Sequence, residues 1–281
     1  MRLSVIIPAN NEEKAIGAVV AAARGEYPES EIIVVDDGST DKTAALGEEQ
    51  GATLISHPQS LGNGAAVKAG ARAATGEVLV FLDADGQHDP ADIPRLLEKL
   101  DEGYDMVVGA RSSSSHANTA RLAANGIYNV IASLITGHRI PDLTSGFRAV
   151  KADLFRNFLY LLPNGFSYPT TITMAFMRAG YPVEFLPIVA QKRKGKSHIK
   201  PVKDGVRFLM IIFKIATLYA PLKLFLPTGL VFFVVGLAYY LYTYITEGRF
   251  TNMSLLLFSA AVIVFLIGLI SEQITALIYQ D

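Results

Sequence analysis

The pattern of hydrophobic and polar positions changes about two thirds of the way along this chain of 281 residues. In the first part, short apolar runs that end in polar or glycine-rich turns predict β-strands at residues 3–7, 31–35, 53–55, 77–82 and 106–108. Segments with helical periodicity lie between them, at residues 12–24, 41–50, 64–74 and 90–100. This alternation predicts an α/β fold with a mostly parallel sheet.

The last third contains two long runs without a charged residue, one between Lys223 and Glu247 and one between Arg249 and Glu272. Each run is long enough to cross a hydrocarbon core of about 30 Å as a helix. We therefore predict an α/β domain, an interfacial helix and a transmembrane hairpin, at residues 1–200, 201–221 and 222–281, with spans at about 224–246 and 252–273.

Basic residues predict the orientation of this hairpin. They cluster at residues 192–203, which places that side in the cytoplasm by the positive-inside rule. Because the connection at 247–252 is short, both ends of the hairpin lie on that side, and we expect a multi-pass protein of the plasma membrane. Arg207 and Lys214 share one helical face, which predicts either an amphipathic helix in the membrane interface or a helix packed on the α/β domain.

Composition limits the partners, metal ligands and nucleophiles that the chain can use. The formal net charge of −1 provides no basic field for nucleic acid. The chain has no cysteine, which excludes disulfides, thiolate metal sites and cysteine nucleophiles, so carboxylates, His and Gln remain as metal ligands. The first apolar run ends at Pro8 and is too short for a signal peptide, so we expect a cytoplasmic α/β domain.

Polar residues follow three of the predicted strands, at the edge where parallel sheets bind ligands. They form the segments Pro8–Glu13, Asp36–Asp41 and Asp83–Gln87. Parts of the first two segments are equally typical of helix N-caps. Capping does not require two adjacent acids, however, and Asp36 and Asp37 repel each other unless donors lie nearby. The base edge and ribose of a nucleotide supply such donors, so we predict that Asp37 binds a nucleotide.

Asp83 and Asp85 flank one small residue directly after a strand that supports them rigidly. With the amide oxygen of Gln87 they predict a site for Mg²⁺ or Mn²⁺, ions usually held by one or two carboxylates plus substrate phosphates. A turn at Asp85 followed by a helix start at Asp89 is the alternative, but it leaves Asp83 unexplained.

Two further patterns are weaker. The glycine-rich run Leu61–Gly70 is similar to a phosphate-binding loop but lacks the Gly-Lys-Ser/Thr ending, and tight helix packing explains its small residues equally well. Isolated loop histidines are usually solvated, so we do not count them as ligands; they are His57, His88, His116 and His138.

Five motifs together resemble those of glycosyltransferase family 2, in the polyprenyl-phosphate subgroup similar to dolichyl-phosphate mannose synthase. They are Val5–Glu12, Val34–Asp41, Leu61–Gly64, Asp83–His88 and Asp142–Arg148. The resemblance implies a GT-A fold, a GDP- or UDP-linked sugar donor, a polyprenyl or dolichyl phosphate acceptor in the membrane, and a homo-oligomer.

The resemblance also implies roles for individual residues. Those that bind the nucleotide and its sugar are Pro8, Asn10, Glu12, Val35, Asp37, Asp83, Ala84, Arg193 and Ser197; the last two belong to a basic segment similar to the family's mobile loop. Asp83, Asp85 and Gln87 hold the metal. Asp83, Asp85 and Asp142 are the expected catalytic residues, Asp142 orienting the acceptor or acting as a base, although a phosphate nucleophile is already ionised near neutral pH.

Three arginines are candidates for the acceptor phosphate, since guanidinium groups bind phosphate oxygens in bidentate fashion; they are Arg111, Arg121 and Arg148. A salt bridge is the ordinary role of a single arginine. We expect inverting sugar transfer to a polyprenyl phosphate. The alternatives are a non-catalytic nucleotide-sugar-binding subunit and a processive polysaccharide synthase, against which stands the lack of tryptophan and hence of the Gln-x-x-Arg-Trp motif.

Overall fold

A computed structural model of the chain describes residues 2–111, 126, 129–130, 132–133, 136–165, 167–190, 210, 213, 216–217 and 219–278. The predictions for Arg121, Arg193, Ser197 and most of the interfacial helix lie outside these residues. The chain divides into two compact units, Met1–Ser133 with His138–Pro201, and Leu134–Gly137 with Val202–Asp281.

The first unit contains the α/β part of the chain. Its strands β1 to β7 are Leu3–Ala9, Glu31–Asp36, Thr53–Ser56, Val78–Phe81, Met106–Arg111, Arg148–Lys151 and Val183–Ile188. Its helices α1 to α6 are Ile16–Glu26, Thr43–Glu49, Asn63–Ala73, Ile93–Asp101, Ala152–Asn157 and Tyr168–Arg178, with 3-10 turns at Pro90–Asp92 and Leu159–Leu161. All five predicted strands and four predicted helices are present, with small shifts of their ends.

The seven strands form one sheet in the order β3-β2-β1-β4-β6-β5-β7. All neighbouring pairs are parallel except the two that include β6, which runs antiparallel to β4 and β5. The predicted mostly parallel α/β fold is therefore confirmed. Because β6 runs the other way, its first residue, Arg148, lies at the edge where β4 and β5 end, opposite Phe81 and Val108.

The sheet opens between β1 and the central strand β4. β1 pairs with β2 from Ser4 to Ala9, but its pairing with β4 ends at Ile6. The chain has gone from β1 outward to β2 and β3 and then returns to the other side of β1, which makes this gap a topological switch point, the usual ligand crevice of such sheets. Pro8 lies beyond the last β4 pair, so its missing N–H breaks no bond to β4.

The C-terminal unit contains two long helices, α7 (Pro221–Glu247) and α8 (Asn252–Ile278), joined by four residues. Small residues recur every seven positions on both and are buried: Gly229, Gly236 and Thr243 on α7, and Ser254, Ala261, Gly268 and Thr275 on α8. A Cβ built on Gly268 would lie 2.6 Å from Phe225 Cβ. These residues therefore let the two backbones approach closely, and the seven-residue period is that of left-handed helix packing.

Both helices are long and apolar enough to cross a membrane. The mean hydropathy of their most apolar windows is 2.0 and 2.8, and only 11% and 17% of those windows are buried. Core helices of a soluble protein would be mostly buried, so these values favour a surface in contact with lipid. The spans expected at residues 224–246 and 252–273 fall inside α7 and α8.

Candidate active site

The loops after β1 and β2 are fastened to each other at the carboxyl edge of the sheet. Asn11 has a φ of 56°, and its backbone N–H donates to Ser39 Oγ at 2.9 Å. Its side-chain Oδ1 accepts from Thr40 N at 2.9 Å. Asp41 Oδ1 accepts from Thr43 N, the first residue of α2, at 2.9 Å, although the N-cap position itself is Lys42, which makes no side-chain cap hydrogen bond. Most of these polar side chains thus shape the edge itself.

The structure distributes the remaining predicted donor-binding residues along this edge. Pro8, Val35 and Ala84 are buried, whereas Asn10 is exposed and Glu12 is partly exposed. Asn10 Nδ2 donates to Asp37 O at 2.6 Å, which ties the ends of β1 and β2 together. Their contacts with a nucleotide remain predictions.

The Asp37 carboxylate is held by four protein donors. Oδ1 lies 2.7 Å from His57 Nδ1 and accepts from Leu61 N at 2.9 Å, while Oδ2 accepts from Ser60 Oγ at 2.7 Å and Gly62 N at 2.8 Å. Burial alone would raise the pKa of Asp37, but these hydrogen bonds lower it. The donors that we sought in a nucleotide are therefore supplied by the protein, and a contact between Asp37 and the nucleotide stays a prediction.

The glycine-rich run is a packing element. A Cβ on Gly64 would lie 1.9 Å from Pro163 O, and Ala65 N donates to Asn164 O at 2.9 Å. Gly64 N donates to Gly165 O at 3.3 Å, so backbone carbonyls already occupy the first donors of α3. Tight packing, the second of the two explanations given by the sequence, accounts for this run.

Asp83 lies at the mouth of the crevice, directly beyond β4. Its side chain is 34% exposed, and no described residue forms a hydrogen bond to its carboxylate. Among the described residues, His88 is the imidazole beside it, with Nδ1 3.5 Å from Asp83 Oδ2. On the other side the carboxylate packs against Gly146, where a built Cβ would lie 2.6 Å from Oδ1. The position of the Asp83 carboxylate is therefore restricted, while its oxygens can still accept hydrogen bonds or bind a cation.

The two carboxylates lead into a tight turn. Asp85 Oδ1 accepts from Gln87 N at 3.1 Å, and Gly86 has a φ of 71°. Asp89 Oδ1 accepts from Ala91 N at 3.0 Å and caps the 3-10 turn that follows. The turn proposed as the alternative to a metal site therefore exists, but it accounts for Asp85 and Asp89 and not for Asp83.

The residues at this edge fit a hard divalent cation. Within the described parts of the chain, no group of three or more His, Cys, Asp or Glu side chains is arranged to hold a metal on its own. Two carboxylates and the amide oxygen of Gln87 are the donor set of an ion that takes its other ligands from substrate phosphates and water, as Mg²⁺ commonly does. The under-bonded Asp83 carboxylate agrees with such a site.

Arg111 and Asp142 form a buried bidentate pair. Arg111 Nε donates to Asp142 Oδ2 at 2.7 Å and Nη2 to Oδ1 at 3.1 Å, while Nη2 also donates to Thr144 Oγ1 at 2.7 Å. Although burial opposes both charges, the pairing raises the pKa of Arg111 and lowers that of Asp142. A carboxylate with a lowered pKa is a weak base, so this arrangement favours a role for Asp142 in fixing Arg111 over proton abstraction.

Asp142→Asn is expected to lower the free energy of unfolding by roughly 3–5 kcal/mol at pH 7, because it leaves Arg111 buried without its counter-charge. The folded-state pKa of Asp142 lies below its unfolded value of about 3.9, so the ionised carboxylate contributes fully above that pH and its contribution is lost as the pH falls through the folded pKa. Circular dichroism melts should therefore show a gap between wild type and variant that narrows below about pH 4. A gap that does not change with pH would contradict this account.

Arg148 is completely buried, unlike an arginine that meets a phosphate. Its Nη1 donates to Pro169 O and to Thr173 Oγ1, both at 3.1 Å, its Nη2 donates to Ser145 O, and its guanidinium lies 5.6 Å from the centre of the Tyr168 ring. Burial lowers the pKa of Arg148. In this structure Arg148 has no surface with which to bind an acceptor phosphate, and it instead ties the start of β6 to helix α6.

His88 is where the sequence interpretation missed a residue of the site. We expected a solvated loop histidine, but the residue is 3% exposed and its ring stacks on Phe147, with centroids 5.2 Å apart. His57, expected to be solvated as well, is half-buried against Asp37. The motif Asp83–His88 included one of these histidines, but the burial of both depends on Asp37 and Phe147, which are distant in the sequence.

A mostly parallel α/β sheet with a switch-point crevice and two carboxylates at its carboxyl edge agrees with the GT-A fold of glycosyltransferases. The chain belongs to glycosyl transferase family 2, whose profile matches residues 4–159. A second profile, described as the GtrB C-terminal hairpin, matches residues 220–277.

Individual relatives agree with this membership. The dolichyl-phosphate hexose transferase of Haloferax volcanii is 32% identical over 217 residues, covering 76% of this chain and 93% of that protein. The polyprenol monophosphomannose synthase of Mycolicibacterium smegmatis is 29% identical over 208 residues, covering 69% and 78%. The chain spans 62% of the length of the mycobacterial glycosyltransferases that it matches at 37% identity.

The fold is also that of a solved enzyme. Glucosyl-3-phosphoglycerate synthase from Mycobacterium tuberculosis, in complex with Mn²⁺, UDP-glucose and phosphoglyceric acid, superposes with a TM-score of 0.63 at 21% identity, covering 76% of this chain and 79% of that one. At this identity the likeness establishes the fold.

Proposed function

We propose that this protein transfers a sugar from a GDP- or UDP-linked donor to a polyprenyl phosphate in the membrane, with inversion at the anomeric carbon. The products are a polyprenyl-phosphate sugar and a nucleoside diphosphate. The observation that carries the proposal is the Asp83 carboxylate, which stands at the switch-point crevice without a hydrogen bond from any described residue. Such a group suits a cation-bound diphosphate better than a structural role.

Asp83, Asp85 and Gln87 would hold Mg²⁺ or Mn²⁺, which stabilises the negative charge of a departing diphosphate. The solved neighbour is a complex with Mn²⁺ and UDP-glucose, in agreement with this assignment. In the transfer, an acceptor phosphate oxygen forms a bond to the anomeric carbon while the bond from that carbon to the donor diphosphate breaks. The phosphate needs no proton acceptor near neutral pH, which agrees with the lowered pKa of Asp142.

The polyprenyl acceptor is supported by two observations. Relatives are named as dolichyl-phosphate and polyprenol transferases, and the chain itself carries two helices able to cross a membrane. We propose that the hairpin places both its ends on the cytoplasmic face. Since the chain has no cysteine, a single Cys introduced at Gly248 should react with an impermeant maleimide only from the outside of intact cells.

Incubation of the purified full chain with Mn²⁺, a polyprenyl phosphate and a panel of nucleotide sugars tests the proposal. We expect nucleoside diphosphate release that depends on the lipid, and a lipid-linked sugar in mass spectra of the organic extract. NMR of the product should show an anomeric configuration opposite to that of the donor. Donor turnover that proceeds equally without the lipid, or that yields only a soluble glycoside, would exclude the acceptor.

A further inference from the structure

His88 is a buried polar side chain that the fold does not explain. Neither ring nitrogen has a hydrogen-bond partner among the described residues, although the side chain is only 1% exposed. Buried polar groups in folded proteins are almost always paired, and an exception needs a reason. The distance of 3.5 Å between His88 Nδ1 and Asp83 Oδ2 is too long for a hydrogen bond of ordinary strength.

Packing accounts for the ring but not for its nitrogens. The imidazole lies nearly parallel to the Phe147 ring, at 18°, and Phe147 is itself fully buried. A phenyl ring would fill the same space without burying an unpaired donor and acceptor. The imidazole at this position therefore points to a hydrogen-bond partner that the described residues do not supply.

Asp83 is the group within reach. Gly146 confines the carboxylate on the Oδ1 side, and His88 Nδ1 faces Oδ2. A movement of roughly 0.5 Å would bring Nδ1 and Oδ2 to hydrogen-bond distance. Oδ1 would then remain for a cation.

We propose that His88 is a positioning residue for Asp83, its Nδ1–H donating to Oδ2 when a divalent cation and a nucleoside diphosphate occupy the site. This inference rests on the proposed function. It adds a residue that would hold the metal ligand Asp83 in place through a hydrogen bond. Hydrogen bonds to metal-ligating carboxylates typically change metal affinity by about 10–100-fold.

Three variants separate positioning from packing. His88→Phe keeps the stacked ring and removes both nitrogens. His88→Asn places an amide N–H near the position of Nδ1, and His88→Gln places it near Nε2. His138→Phe makes the same change at an exposed histidine and serves as the control.

The readout is the affinity for Mn²⁺ in the presence of UDP and, separately, GDP, measured by electron paramagnetic resonance on the full chain. We expect about 10–100-fold weaker binding for His88→Phe and His88→Gln, near-wild-type binding for His88→Asn and His138→Phe, and no loss of melting temperature for His88→Phe. Equal affinities in all variants, or tighter binding by Gln than by Asn, would overturn the proposal. If the Phe variant does not fold, the Asn and Gln pair decides alone.

The two proposals can fail separately. Unchanged Mn²⁺ affinity in His88→Phe, combined with intact lipid-dependent transfer by the wild type, would remove the role of His88 and leave the function in place. Weakened Mn²⁺ binding by His88→Phe, combined with no sugar transfer by the wild type, would support the role of His88 and contradict the proposed function.

Discussion

Asp85→Ala is expected to reduce sugar transfer by roughly 1,000-fold or more with every nucleotide sugar that the wild type accepts. Removal of one group that stabilises developing charge commonly costs 100–1,000-fold in turnover, and Asp85 is also proposed to hold the cation that makes the diphosphate a leaving group. The measurement is lipid-linked product formed per minute by the detergent-solubilised enzyme. Asp85→Asn should lose nearly as much activity, because it keeps the shape and removes the charge.

Asp153 provides the matched control, since it is an aspartate of the same unit with a side chain that is 97% exposed. Asp153→Ala should leave the transfer rate within about twofold of wild type, as expected for an exposed ion pair. Both variants should melt near the wild-type temperature. Wild-type activity in Asp85→Ala would refute the metal assignment.

The sequence predicted the strands that carry the site because each is a short apolar run between turns. Two strands escaped notice for physical reasons. β6 has only four residues and begins at Arg148, the last residue of a motif recognised for its polar side chains. β7 contains Pro187, which usually argues against a strand, but β7 is at the edge of the sheet, where a missing N–H can be tolerated.

The polar residues of the edge were predicted as a group, but their partners were not. Asp37 is satisfied by a loop that begins twenty residues later, and Arg111 meets a carboxylate thirty-one residues away. Arg148 is buried where the start of β6 meets α6, and its guanidinium donates to Thr173 Oγ1 of that helix. These pairings depend on strand order, which a pattern of local runs does not specify.

The same strand order explains why a glycine stands beside Asp83. Gly146 precedes β6, and the antiparallel pairing of β6 with β4 brings it to the residue that follows β4. The three atoms nearest to a Cβ built on Gly146 all belong to the Asp83 carboxylate, at 2.6, 2.9 and 3.0 Å. Since a carboxylate is the mobile end of a side chain, the fold can accept a methyl group here by turning Asp83 aside.

Gly146→Ala is therefore expected to fold and to lose about 100-fold in transfer rate, the usual order of effect when a reacting group is displaced by about 1 Å. The melting temperature should fall by only a few degrees, as for a mild overpacking of about 1 kcal/mol. Gly25→Ala is the control, because a Cβ on Gly25 meets nothing within 4 Å. It should leave the rate unchanged.

A double variant shows whether Gly146 acts through Asp83. Once Asp83→Ala has removed the carboxylate, Gly146→Ala has nothing left to displace, so it should add little to the loss of activity caused by Asp83→Ala alone. Effects of residues that act as one unit are strongly non-additive, whereas an independent defect in folding would multiply. A full further 100-fold loss in the double variant would show that the glycine serves the backbone at the start of β6 and not the position of Asp83.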